Sequence, residues 1–206
     1  SVITCDIVNS TKLTSTAEST LLTALEKLLK RYTFEFYRGD SFQFYLKPKD
    51  VTKSLQVALL CRTTALRIPA TSPANKADLR ISIGIGRIEG AVKKLATAKG
   101  EAFVLSGRGL DNLSKTPSRL LISVEKENIV RYSFDLIAAY TDSIFNNMTA
   151  KQAEVISLLL QGKTQADTVK TLKKSKSTIS QRANSAKWSE IEWILKMFNN
   201  LINELP

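Results

Sequence analysis

The chain opens on an apolar, strand-like stretch from Val2 to Ile7 and then changes period. From Ser19 to Tyr32, Leu21, Leu22, Leu25, Leu28 and Leu29 recur at helical spacing and mark one face of an amphipathic helix. Two strand-like runs follow, Thr33 to Tyr37 and Ser41 to Leu46, and the intervening Arg38-Gly39-Asp40 has the length and glycine of a hairpin turn with an acid at its tip. A helix is expected over Val51 to Arg67, with Leu55, Ala58, Leu59 and Leu66 inward, ending before the loop-like Ile68 to Lys76 with its two prolines. Leu79 to Ile85 alternates strictly, as a strand does; Gly100 to Lys115 suits a helix and Arg119 to Val124 a last strand. The order β-α-β-β-α-β-α-β predicts an α+β fold with helices on one antiparallel sheet, of ferredoxin-like kind.

After a connecting helix at Phe134 to Asn146 the strand signals stop, and Met148 to Leu205 reads as all helix. This pattern divides the chain into an α+β domain (1–133), a connector (134–147) and a helical domain (148–206). Thr149 with Gln152, and Thr164 with Asp167, are capping boxes. The first opens a helix around Val155, Ile156 and Leu159 that Gly162 ends. The second opens a short helix carrying Ala166, Val169 and Leu172. After the turn Lys173 to Ser175, Ser177 to Ala186 forms a third helix around Ile179 and Ala183. Short helix, tight turn, helix is the helix-turn-helix pattern, so double-stranded DNA is the expected partner. Lys163, Lys170, Lys173, Lys174, Lys176, Arg182 and Lys187 crowd this stretch against Asp167 alone, as a phosphate-facing surface requires. Thr164 sits among them. Lys176, Ser177, Thr178, Ser180, Gln181 and Asn184 open the third helix with groups able to read base edges, Gln181 and Asn184 above all. A plain helical bundle with a solvated basic face is the alternative. The apolar stripe Ile191, Ile194, Leu195, Phe198, Leu201 and Ile202 of the last helix, Trp188 to Leu205, suits either the core or a homodimer seam.

Composition narrows the chemistry. With 43% hydrophobic and 24% charged residues the chain is that of an ordinary globular protein, and its apolar runs stay short of the roughly 18 residues of a membrane span, so no membrane partner is expected. The opening stretch lacks the basic and small-residue flanks of a secretion signal, which leads to the expectation of a cytoplasmic protein. A net charge of +11 favours a phosphate-bearing partner. Histidine is absent, which excludes Ser-His-Asp and Cys-His catalysis and every histidine zinc site. Cys5 and Cys61, each set among apolar residues, read as buried thiols. Any metal site therefore rests on carboxylates and favours magnesium or manganese. Asp6, at the end of the first strand, and Asp40, at the hairpin tip, would meet at one sheet edge if their strands pair. Each is also an ordinary turn or cap residue taken alone.

Two resemblances sharpen this reading. Met148-Thr149-Ala150-Lys151-Gln152-Ala153-Glu154-Val155-Ile156, Gly162-Lys163-Thr164-Gln165, and Val169, Leu172, Ser175 and Thr178-Ile179-Ser180 resemble the LuxR-type and sigma-factor-type helix-turn-helix over about forty residues. The motifs "D-I-V-N-S-T" from Asp6, "R-G-D-S-F" from Arg38 and "R-I-S-I-G-I-G" from Arg80 resemble the catalytic domain of class III nucleotidyl cyclases, in the order found in SatD-like bacterial proteins. That resemblance implies metal ligation by Asp6, Asp40 and the Ile7 carbonyl. It also places nucleotide phosphates near Asn9, Ser10 and Thr11, and makes Arg108 the one residue left to steady a transferring phosphate. Arg38 and Arg87 are further arginines able to hold phosphate. The base-selecting lysine of the cyclases is replaced by Phe36 and their late asparagine by Val104. The resulting expectation is a DNA-binding transcriptional regulator with a degenerate cyclase-like domain for sensing and dimerisation, with a nucleotide as ligand. The alternatives are a metal-dependent nucleotidyl cyclase or other phosphoryl-transfer enzyme with an appended DNA-binding domain, and a pure interaction module.

Overall fold

The computed structural model describes residues 1–37, 39–69, 75–125 and 129–205. The first strand, β1 (Val2–Val8), lies at the centre of a five-stranded sheet of order β2-β3-β1-β4-β5, with β2 at Thr33–Tyr37, β3 at Ser41–Tyr45, β4 at Asp78–Ile85 and β5 at Leu120–Val124. The hairpin and both neighbours of β1 pair antiparallel, but β4 and β5 run parallel. The sheet is thus mixed, which corrects the expectation of a purely antiparallel one. The reason is the connection: α3 (Glu101–Ser114) crosses the sheet between β4 and β5, and a crossover returns the chain in the same direction.

Period-two alternation sorts the two faces. Ile3, Cys5, Ile7, Phe42, Phe44, Leu79, Ile81 and Ile83 are buried on one, with α1 (Ser15–Leu29) and α2 (Ser54–Leu66) against them. The opposite face carries Thr4, Asp6, Gln43, Arg80 and Ser82, and α3 lies on it closely enough that a Cβ at Gly84 would overlap the Ala102 carbonyl and one at Gly109 the Ser82 hydroxyl. Helix α1 begins at Ser15, four residues before the expected Ser19, because the Thr14 hydroxyl accepts the Ala17 N–H at 3.2 Å.

Helix α4 (Ile129–Phe145) is longer than the expected connector and packs on β5. The helical part follows as α5 (Ala150–Leu160), α6 (Gln165–Leu172), α7 (Lys176–Ser185) and α8 (Trp188–Asn203). Helix α5 docks on α2, and Gln56 Nε2 donates to the Leu160 carbonyl at the end of α5 at 2.6 Å. One buried apolar cluster consequently runs from Ile3 to Phe198. Ile191, Ile194 and Phe198 of α8 are buried in it and Leu195, Leu201 and Ile202 pack against it, so the α8 stripe belongs to the core. Among the described residues, no helix is long and apolar enough to cross a membrane.

A fully buried guanidinium ties these parts together. Arg62 of α2 makes a two-pronged pair with Asp78 of β4, at 2.9 and 3.0 Å, and also donates to Asp142 and Asn146 at the end of α4. Asp142 in turn accepts the Arg119 and Leu120 N–H groups at the head of β5, at 2.7 and 3.2 Å. Burial alone would lower the Arg62 pKa. The Asp78 and Asp142 carboxylates outweigh it, and the net shift is upward.

Candidate functional site

Helix α7 is held by its buried side and displays the rest. Ile179 and Ala183 are buried, while Ser177, Gln181 and Asn184, at i, i+4 and i+7, form an exposed stripe beside the half-buried Ser180. Its start is fixed by Ser175, whose hydroxyl accepts the Thr178 N–H at 3.1 Å. The preceding turn passes through Lys173 in the left-handed region, φ 51. Both expected capping boxes are present. Thr149 and Gln152 exchange bonds at 2.8 and 3.3 Å, and Thr164 and Asp167 at 3.1 and 3.1 Å. The Thr164 hydroxyl and N–H hold the Asp167 carboxyl below its usual range, so the one acid of this stretch is engaged in a cap.

Lys163, Lys170, Lys173, Lys174, Lys176 and Lys187 are all exposed. Lys163 lies across α6, its ammonium donating to Thr171 Oγ1 at 3.2 Å. Two expected contact residues are otherwise occupied. Arg182 is turned to Glu154 of α5 at 3.7 Å, and the Thr178 hydroxyl lies 2.8 Å from the capping Ser175 hydroxyl. On α6 Ala166 is exposed and Thr168 is the fully buried position. Thr168 can be buried because its hydroxyl donates to the Thr164 carbonyl at 2.9 Å.

The second cluster lies on the polar face of the sheet. The register sets Asp6 opposite Ser41 on β3 and opposite Arg80 on β4. The Ser41 hydroxyl lies 3.4 Å from Asp6 Oδ1 and 3.5 Å from Asp40 Oδ1, so Asp6 and Asp40 do meet across one hydroxyl. Ser10, in a short 3-10 turn after β1, donates to Asp40 Oδ2 at 3.2 Å, and the Ile7 N–H donates to the Asp40 carbonyl at 2.9 Å. Asn9, with φ 62, makes the turn between β1 and that 3-10 segment, and its side-chain amide donates to the Lys76 carbonyl. Thr11 is exposed beside it. Arg80 Nη1 takes Asp6 Oδ2 at 2.8 Å, a contact that required the cross-strand register to foresee.

Other candidates lie apart. Arg87 follows the far end of β4, and Ile85 alone is five residues, roughly 17 Å of strand, from Arg80. Arg108 is on the exposed side of α3, whose Ser106 and Gly109 face the sheet. Arg38 lies outside the described residues. Phe36 pairs with Phe42 on the apolar face, ring centroids 5.3 Å apart, and so is on the opposite side of the sheet from Asp6. Val104 is 48% exposed on α3. Comparison with protein families, with curated proteins and with solved structures finds no match for this chain.

Proposed function

We propose that the protein is a cytoplasmic DNA-binding transcriptional regulator in which α6, the turn 173–175 and α7 form a helix-turn-helix and α7 reads the major groove. The carrying observation is the stripe Ser177, Gln181 and Asn184, exposed on a helix anchored by Ile179 and Ala183 and preceded by a lysine-rich turn. Amide side chains pair with adenine edges in the major groove, and lysines beside the reading helix neutralise phosphates. The α+β part is the cyclase-like unit of ferredoxin-like kind that senses a nucleotide and joins two copies. Helix α4 offers a face for that pairing, because Ile129, Tyr132 and Leu136, at i, i+3 and i+7, are 77%, 65% and 71% exposed. Selecting duplexes from a random pool tests this reading: enrichment of a common half-site supports it, and recovery of an unbiased pool refutes it.

Asp6 and Asp40 supply hard oxygens of the kind magnesium or manganese takes, but Arg80 already holds one oxygen of Asp6, and among the described residues no third acid joins the pair. The pair therefore fits a cation that arrives with a triphosphate and water, not a cage made by protein alone. The hydroxyl shared by the two carboxylates also favours a second reading, phosphoryl-transfer catalysis. Phe36 on the apolar face leaves that reading without base selection from its position. Thermal stabilisation by ATP, GTP, CTP or UTP with manganese, lost in Asp6→Asn and Asp40→Asn, would support a nucleotide sensor. A cyclic product would favour the enzyme, and no stabilisation by any of the four would remove both ligand readings.

A further inference from the structure

A groove of ≈ 1430 Å³ runs between the end of α1, Thr33 of β2 and Tyr45 of β3, one face of α2 along its length and the end of α5. Seven basic side chains line it against one carboxylate, Asp50. That carboxylate is bound by Lys53 at 2.8 Å. Lys27, Lys30, Arg31, Lys47, Lys49 and Arg67 remain. All six are exposed, and among the described residues none has an ion-pair partner. The field they set up already acts inside the groove: Asp50 is held below its usual range, first by the Lys53 hydrogen bond and further by Lys49 and Lys47.

A solvated lysine face is ordinarily convex and interspersed with acids. This one is concave, so low-dielectric walls focus its potential on the groove axis. Its volume exceeds the roughly 300–1,000 Å³ of clefts that enclose a small molecule, which points to an extended polyanion. The floor adds Tyr32 and Tyr45, with Arg31 stacked 5.1 Å above the Tyr32 ring. Gln161, at the groove's α5 wall, is separated only by Gly162 from Lys163, where the basic stretch of the helix-turn-helix begins. We infer that this groove is a second nucleic-acid contact, holding phosphodiester backbone without reading bases. The inference rests on the DNA-binding reading and extends its footprint beyond α7.

The test is a fluorescence-anisotropy titration of a 30-base-pair mixed-sequence duplex across a series of salt concentrations. It compares the wild-type chain, Lys30→Gln/Lys47→Gln/Lys49→Gln and Gln181→Ala/Asn184→Ala, each with a thermal melt as the folding control. Each lost phosphate contact lowers the steepness of log K against log salt by about 0.9, so the triple variant should lose up to about 2.7. A wild-type slope in the folded triple variant overturns the inference. The α7 double variant should keep its slope on this duplex while losing its preference for the duplex the wild type enriches over a scrambled one, titrated alongside. If it is unchanged in both while the triple variant weakens, the groove stands and the α7 reading falls. No duplex binding by the wild type overturns both. Inorganic polyphosphate serves as the second probe: if the triple variant loses polyphosphate binding but keeps its duplex slope, the groove's ligand is not nucleic acid.

Discussion

Replacing Arg62 by Met removes the one cation from a buried cluster that contains Asp78, Asp142 and Asn146. Methionine fills most of the volume, so the change isolates charge and hydrogen bonding from cavity formation. Two carboxylates then stay in the interior, Asp78 at 9% and Asp142 at 6% exposure, with main-chain N–H groups as their remaining partners. Removing one member of a buried ion pair costs about 3–5 kcal/mol, because the charge left behind has lost its compensation. For a chain of this size 1 kcal/mol moves Tm by about 2–4 °C, so Arg62→Met should melt roughly 6–20 °C below the wild type. The cluster ties α2, β4, α4 and the head of β5, so sheet and helices should be lost together in one transition followed by circular dichroism. The variant Arg62→Met/Asp78→Leu/Asp142→Leu, which removes the stranded charges, should recover part of the loss. A single variant within about 1 kcal/mol of wild type would refute the assignment of the cluster as a structural tie.

Gly109→Val should destabilise by about 1–3 kcal/mol in urea unfolding, because its Cβ would overlap the Ser82 hydroxyl and lift α3 from the sheet; Gly107→Ala, where a Cβ meets nothing within 4 Å, is the control. Cys5 and Cys61 should resist a disulfide reagent at pH 8 until the chain unfolds, since burial pushes both thiols well above their ordinary range. A raised thiol favours the folded state below the unfolded pKa of about 8.5, so stability should fall as pH climbs above that value; unfolding midpoints between pH 7 and 10 check the direction. On the proposed pairing through α4, the wild type should sediment as a dimer and Ile129→Asp/Leu136→Asp as a folded monomer; a wild-type monomer, or an unchanged oligomer in the variant, would exclude the α4 face as the seam.

What was legible in the sequence was local. The capping boxes at Thr149 and Thr164, the hairpin and the strand at Leu79 to Ile85 depend on neighbours within a few residues, and the structure shows each of them. The first turn of α4 is not legible in the sequence because Ile129 and Tyr132 are apolar yet exposed and mark no buried stripe. The parallel β4–β5 pair depends on where α3 crosses, which no local pattern specifies. The sequence suggests Asp6 and Asp40 as a pair but not the partnership of Arg80 with Asp6, since that contact comes from the register of strand positions 74 residues apart. Nothing local marks Arg62: an arginine within a helix reads as solvated, and its partners lie 16 and 80 positions away.

The most direct measurement is the affinity of the Gln181→Ala/Asn184→Ala variant for the duplex that the wild-type chain enriches, set beside its affinity for a scrambled duplex at the same salt. Each lost amide–base contact should cost about 1–3 kcal/mol on the enriched duplex and nothing on the scrambled one, so that specificity collapses while non-specific binding survives. Equal affinity of variant and wild type for the enriched duplex would contradict α7 as the reading helix.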